Sequence, residues 1–166
     1  MSNAWNTRVE IDSDLEPLRD ITRDAFGRQF EVDFLDAHRA EPAAWIPGLM
    51  FVATDSDDRP VGYALLTRGY VDDVPILALS PVAVLPAYQR QGVGDAAVRA
   101  ALAAARERTE PAVVVLGHDT YYPRFGFRPA SEFGIHHPKY GGPHLMALAL
   151  GEDPVPTGTL SYPIDM

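Results

Sequence analysis

The apolar and polar positions of this chain switch between a period of two and a period near 3.6, and that switching predicts its elements. Arg8-Val9-Glu10-Ile11 alternates and predicts a first strand. Ser13-Asp14-Leu15-Glu16 has the form of a capping box, in which Ser13 and Glu16 each satisfy an orphan N–H. Leu15, Leu18, Ile21, Ala25 and Phe26 then recur at helical spacing, predicting a helix over 14–26 that ends at Gly27. A second, shorter helix over 32–39 brings Phe34, Leu35 and His38 near one face, and 42–48 is loop carrying Trp45. Leu49–Thr54 and Val61–Thr67 are strands joined by the turn-forming Asp55-Ser56-Asp57-Asp58-Arg59. Ile76–Val84 follows as a central strand, interrupted by Pro81, which suits a bulge or a point where the strand leaves its neighbour. After Gly94 an Ala-rich helix runs to about Arg108, and Ala112–Leu116 is the continuous apolar run of a strand buried on both faces. Strand, crossover helix and strand imply a parallel pair. Leu145–Leu150 closes the pattern, and 151–166 shows little of its own.

The junction between the central strand and the Ala-rich helix carries the most specific chemistry. Gly92 and Gly94 lack Cβ atoms, so an anion can approach the backbone, and the first N–H groups of the helix have no partner within it. With the macrodipole added, this end of the helix can cradle phosphate without a Lys. Gly92-Val93-Gly94-Asp95-Ala96-Ala97 fits the dinucleotide pattern G-x-G-x-x-G/A, but Leu85 to Gln91 separate it from its strand. Gln89-Arg90-Gln91-Gly92-Val93-Gly94 also fits Q/R-x-x-G-x-G/A in full.

With Val82-Ala83-Val84-Leu85-Pro86 before it, this stretch resembles the acyl-CoA signature of the GNAT (GCN5-related) N-acetyltransferases. About 30 residues on, His118-Asp119-Thr120-Tyr121-Tyr122-Pro123-Arg124-Phe125-Gly126-Phe127 resembles the Y-x-x-x-G-F element of the same enzymes, with Tyr122, Gly126 and Phe127 in register. The doubled Tyr and the Phe-Gly-Phe are similar to the YhbS-like bacterial branch. The resemblance covers roughly residues 7–150 of a single 1–166 domain. It implies an α/β fold: a mixed, mostly antiparallel sheet flanked by helices, its fourth and fifth strands parallel and splayed for the cofactor.

The resemblance also implies roles. Val82, Ala83 and Val84 would pair with the pantetheine arm of acetyl-CoA like an added strand, with a backbone N–H near Val84 as oxyanion donor. N–H groups from Arg90, Gln91, Gly92, Val93, Gly94 and Asp95 would hold the pyrophosphate, Arg90 and Arg124 would add charge, and the Asp95 side chain would point away. Tyr122 is the candidate general acid for the departing thiolate, since a phenol of pKa about 10 stays protonated at neutral pH. Tyr121 is expected to pack. The general base is open, because the central strand carries no carboxylate. His118 is the first candidate. Glu31, Asp33, Asp36, His38 and a water relay are the others. Gly117-His118-Asp119 stands where the family often has an Asn after its fifth strand.

Composition narrows the class. With 166 residues the chain is long enough for a sizeable core, and the absence of Cys excludes disulfides, thiolate metal sites and Cys nucleophiles. His136 and His137 are adjacent and would face opposite ways in an extended segment, so no metal site is expected. No apolar run approaches a membrane span and 1–8 has no signal-peptide core, so the expectation is a cytoplasmic protein without a membrane partner. The formal charge is −9, and residues 1–60 contribute −7 of it, from 13 acids and 6 Arg. That acidity disfavours nucleic acid and favours a cationic amine acceptor, either a small molecule or a peptide. A homodimer is left open. Two other function classes remain: a non-catalytic acyl-CoA-binding module and, more distantly, a nicotinamide oxidoreductase.

Overall fold

The computed structural model describes residues 5–164. The elements that carry the site are β1 (Asn6–Val9), α1 (Leu15–Phe26), α2 (Phe30–Ala40), β2 (Met50–Thr54), β3 (Pro60–Val71), β4 (Val74–Val84), α3 (Val93–Arg106) and β5 (Ala112–Leu116). The C-terminal part adds β6 (Arg128–Pro129), β7 (Ile135–His136), β8 (Leu145–Ala149) and β9 (Gly158–Ser161). The sheet runs β1-β2-β3-β4-β5-β8-β6, with β9 alongside β3 and β7. β1 to β4 are antiparallel neighbours, and β4 with β5 is a parallel pair, so the expected mixed sheet is present.

Strand alternation divides the core between the two sheet faces. Leu66, Leu77, Leu79, Val113 and Val115 meet Ala97, Val98, Ala101 and Leu102 of α3. The small side chains of α3 let its axis lie close to the strands, which is why an Ala-rich helix suits this crossover. On the other face Tyr63, Leu65 and Val52 meet Leu18, Ile21 and Leu35 of α1 and α2. The buried Tyr63 hydroxyl is satisfied by Thr22 Oγ1 at 2.7 Å. Trp45 is an edge anchor of this second layer. Its ring packs against that cluster and carries the Arg39 guanidinium 4.4 Å from its centroid.

β4 parts from both its neighbours. Val82 pairs with Ala64 and Leu79 with Leu66, so Ser80 and Pro81 together face Leu65. This is a β-bulge, the role anticipated for Pro81. On the other edge β4 pairs β5 only at Leu77 with Val113 and Ala78 with Val114. Beyond that the two strands diverge.

Three sequence-based expectations are corrected. α1 begins at Leu15 with no side-chain cap bond. In place of the Ser13 capping box, the Asp14 carboxylate accepts the Ile11 N–H at 2.9 Å and a bidentate Arg8 at 2.6 and 3.1 Å. A paired carboxylate satisfies this turn better than a hydroxyl. α2 starts two residues earlier than its apolar pattern indicates, at Phe30. The tail is not patternless, because β9 pairs Ser161 with Tyr70 and Leu160 with Val71. Only Leu160 of that strand is buried, so no alternation marked it.

Docking of the tail gives a stability prediction. Gly158 has φ +147°, and a Cβ there would collide with the Asp72 carboxylate, which accepts the Thr159 N–H at 2.9 Å. Gly158→Ala should therefore cost about 1–3 kcal/mol and lower Tm by roughly 2–12 °C. An unchanged melting curve would contradict the docking of β9.

Candidate active site

The divergence of β4 from β5 leaves half of β4 with an open edge, and this edge forms one wall of a groove. The Leu85 N–H donates to Val61 O of β3 at 2.9 Å, and successive residues of a strand alternate sides. The backbone groups of Ala83 therefore turn toward Tyr63 of β3, while those of Val82 and Val84 turn to the open side. All three residues line a groove of about 690 Å³. Val82 can offer its N–H and C=O and Val84 its N–H to an extended ligand, the Val84 carbonyl being held by Gln89 Nε2 at 3.2 Å, and Ala83 contributes only wall.

The far end of the groove is the glycine loop. Arg90 at φ +63° and Gly92 at φ +86° are both left-handed, so the chain curls before α3 begins at Val93. The Ala96 N–H donates to Gly92 O at 3.0 Å, beginning the helical ladder. The N–H groups of Val93, Gly94 and Asp95 precede it and are the orphan donors of the helix. A Cβ on Gly92 would meet no atom of the described residues within 4 Å, so the space beside it is open among them. The loop is pinned by side chains. Trp5 Nε1 donates to Gln91 O at 2.8 Å, Gln91 Nε2 to Ala87 O at 3.0 Å and Gln89 Nε2 to Val84 O at 3.2 Å. A curled backbone of free donors at a helix N-terminus fits a pyrophosphate.

Among the described residues Asp95 is the one carboxylate in this groove lining, and it is engaged. The Tyr121 hydroxyl donates to its Oδ1 at 2.7 Å, and Arg124 Nη1 lies 3.5 Å from its Oδ2. Arg124 also stacks over the Tyr121 ring at 4.3 Å. Tyr121 therefore does more than pack: it fixes the charged pair beside the cradle. Burial, with the Asp95 bond next, raises its pKa above the usual phenol range. Arg90 and Arg124 both line the groove.

Tyr122 stands where the groove meets a second cavity of about 340 Å³, and it lines both. It opens a short 3₁₀ turn, Tyr122–Phe125, closed by Gly126 at φ +100°. Its ring is buried against Tyr121, Phe125 and Phe127. Gly117 lies against its other side, where a Cβ would come 2.5 Å from Tyr122 Cε2. Gly117 is itself fixed at both backbone groups: its N–H donates to His144 O and its carbonyl accepts from His144 Nδ1, each at 3.0 Å. The Tyr122 hydroxyl makes no hydrogen bond to the described residues. Burial pushes its pKa up to about 12, so it is a protonated donor at neutral pH.

The candidate bases divide by position. His118 is exposed and lines both the groove and the second cavity. Glu31 lines the second cavity, paired to Arg28 at 2.5 Å. His38 belongs to a third, deeper chamber. Asp36 is turned to Arg19 at 3.1 Å, and Asp33 accepts from Gln29 at 3.1 Å, so neither borders these cavities. The acidity of the first 60 residues is also largely engaged locally, since Arg8, Arg19, Arg23, Arg28, Arg39 and Arg59 all pair with acids of the same region. His136 and His137 have separate partners, Thr159 Oγ1 at 3.0 Å and the Tyr140 ring at 5.1 Å. No helix among the described residues is long and apolar enough to cross a membrane.

Sequence reasoning missed Trp5, Gly117 and His144, which act on the site through contacts 27 to 86 residues apart. The Gly directly before His118 was the one available signal.

Comparison with known proteins agrees with this geometry. Residues 15–127 match the Acetyltransferase (GNAT) family. The chain is 37% identical over 123 residues to the uncharacterized N-acetyltransferase YjhQ of Escherichia coli K12, covering 72% of this chain and 67% of that one. It is 31% identical over 132 residues to the uncharacterized N-acetyltransferase YhbS of the same strain, covering 78% and 75%. A crystal structure of E. coli YhbS in complex with CoA superposes with a TM-score of 0.86 at 26% identity, over 96% of this chain and 89% of that one. A GNAT family acetyltransferase from Brucella melitensis in complex with acetyl-CoA superposes with a TM-score of 0.77 at 29% identity, over 95% and 94%. The chain belongs to the GNAT family of acetyltransferases, in its YhbS-like branch.

Proposed function

We propose that this protein is an N-acetyltransferase that moves the acetyl group of acetyl-CoA directly to a primary amine, with Tyr122 as general acid. The observation that carries the reading is the meeting of three features in one groove: the open edge of β4 at Val82 and Val84, the donor-lined curl at Arg90–Asp95, and the unengaged hydroxyl of Tyr122. The CoA and acetyl-CoA held by the two superposed relatives support the choice of cofactor.

Acetyl-CoA supplies the activated acyl group as a thioester. The loop N–H groups, with Arg90 and Arg124, hold its pyrophosphate, and the open-side backbone of Val82 and Val84 orients the pantetheine arm. Such positioning supplies much of the rate effect of a direct transfer. The Val84 N–H donates to the carbonyl oxygen as negative charge develops there. The new C–N bond forms as the C–S bond breaks. The amine sheds one proton, to His118 or to water, and the sulfur gains one from Tyr122. Solvent restores the phenol, so the exchange balances. Thiol release followed across a panel of primary amines tests the reading. Acetylation of at least one amine is expected, and cofactor binding without thiol release for any amine would contradict catalysis.

Gly117 gives an indirect test of Tyr122. Gly117→Ala places a methyl group against the Tyr122 ring and must shift it. Overpacking of this kind costs about 1–3 kcal/mol, and kcat should fall by at least ~10-fold while acetyl-CoA affinity changes little. Unchanged kcat would mean that the position of the Tyr122 ring does not matter to the chemistry.

A further inference from the structure

Beyond Tyr122 the second cavity continues into a deeper chamber of about 150 Å³, the two sharing Phe34, Leu79, Ser80 and Leu116. The chamber lies between α2, which supplies Phe34 and His38, and the C-terminal part of the chain, which supplies Tyr140 and Tyr162. Among the described residues its lining contains no Asp, Glu, Lys or Arg. Burial pushes the Tyr162 phenol up to about 12, so that side chain too is neutral. An ammonium placed here would give up part of its hydration without a carboxylate among the described residues to replace it, although Leu116 and Tyr140 leave the chamber partly open to solvent. A cavity of about 150 Å³ with apolar walls is the size that accepts one benzene ring.

One polar group in the chamber is unusual. His38 is only 4% exposed, and its Nδ1 lies 2.8 Å from Phe34 O. A carbonyl only accepts, so Nδ1 carries the hydrogen and Nε2 is left as a bare acceptor. Burial holds the imidazole below its ordinary pKa, which keeps it neutral. Nε2 has no hydrogen-bond partner among the described residues, although the ring lines the chamber and stacks on Phe34 at 4.0 Å.

We infer that this chamber receives the remote end of the acceptor amine, and that this end is an uncharged ring, aromatic in size and shape, bearing one hydrogen-bond donor for His38 Nε2. The inference rests on the direct-transfer reading for the reacting nitrogen, which would sit in the second cavity beside Tyr122. The chamber itself is independent of that reading. A diamine or polyamine, whose remote end is charged, is disfavoured by the described lining.

The test uses the full chain with saturating acetyl-CoA and three amines: tyramine, phenethylamine and cadaverine. Phenethylamine should exceed cadaverine in kcat/KM by more than 10-fold, and tyramine should exceed phenethylamine by about 10-fold, chiefly through KM. His38→Leu should bring the ratio of tyramine to phenethylamine in kcat/KM down to about one. His38→Gln, whose amide oxygen can replace Nε2, should restore part of the tyramine advantage. In parallel, calorimetric titration of the CoA-bound wild-type protein with p-cresol and with toluene reads the chamber without chemistry, and p-cresol should bind the tighter. If no amine is acetylated but p-cresol binds and His38→Leu weakens it, the transfer reading falls and the chamber stands. If amines are acetylated with cadaverine equal or preferred, or if p-cresol gains nothing over toluene, the inference is wrong. Competition by hexanoyl-CoA that displaces p-cresol would assign the chamber to a longer acyl chain and overturn it as well.

Discussion

Tyr122→Phe should lower kcat by roughly 10- to 10³-fold while leaving acetyl-CoA affinity nearly unchanged. The substitution removes one oxygen and keeps the ring that packs on Tyr121, Phe125 and Phe127 and fills the space beneath Gly117. The hydroxyl bonds to no described residue, so its loss leaves no buried partner unsatisfied and should cost little stability. Its contribution falls when the thiolate leaves, which is why kcat and kcat/KM should drop together. A thioester with a more acidic thiol should rescue the variant in part, because less protonation is then needed. Tyr121→Phe is an informative control rather than a silent one. It removes the 2.7 Å bond to Asp95, so the acid faces the phosphate cradle less restrained. Acetyl-CoA affinity should weaken there with kcat largely preserved, the opposite split from Tyr122→Phe. Full activity of Tyr122→Phe would move the proton to His118 or to a bound water.

Substitution at Gly92 should produce the second large effect, on binding. Any side chain here projects from a residue at φ +86° into space that no atom of the described residues occupies within 4 Å of its Cβ. Val would crowd the pyrophosphate and would also strain the backbone, since a β-branched residue resists the left-handed region. Gly92→Val should therefore weaken acetyl-CoA by at least ~100-fold and lower stability by about 1–2 kcal/mol. Gly92→Asn separates the two causes. Asn tolerates the left-handed conformation, so most of the stability should return, yet its side chain still fills the cradle and affinity should stay low. Recovery of affinity together with stability in Gly92→Asn would make Gly92 a structural glycine only.

The parts of the fold legible in the sequence were those whose burial imposes a period. Val113, Val114 and Val115 are covered on both faces and read as a continuous apolar run, and α3 announced itself through its Ala content. The glycine loop was legible because Gly92 needs a conformation that other residues avoid. Short pairings were not. β6 and β7 have two residues each, and β9 buries only Leu160, so none carries a pattern. Relations across space were equally hidden. Nothing local ties Tyr121 to Asp95, which is 26 residues away, or His144 to Gly117, 27 away. Charge counts are equally silent on which of the acids in the first 60 residues hold an Arg, a pairing that leaves their net charge unchanged. The chamber depends on Tyr162 and Ile164 lining the same cavity as Phe34 and His38 of α2, a placement that a tail without periodicity gave no reason to expect.

Isothermal titration of the folded protein with acetyl-CoA tests the central claim most directly, because both the groove and the loop must work for it to bind. One site per chain is expected, with Kd in the range of about 1–100 µM, or roughly −8 to −5.5 kcal/mol. Removal of the pyrophosphate, by titrating acetylated pantetheine alone, should weaken binding by at least ~10-fold. No heat of binding for acetyl-CoA with a sample that melts cooperatively, or equal affinity for the acetylated pantetheine, would contradict the assignment of Arg90–Asp95 as the pyrophosphate cradle.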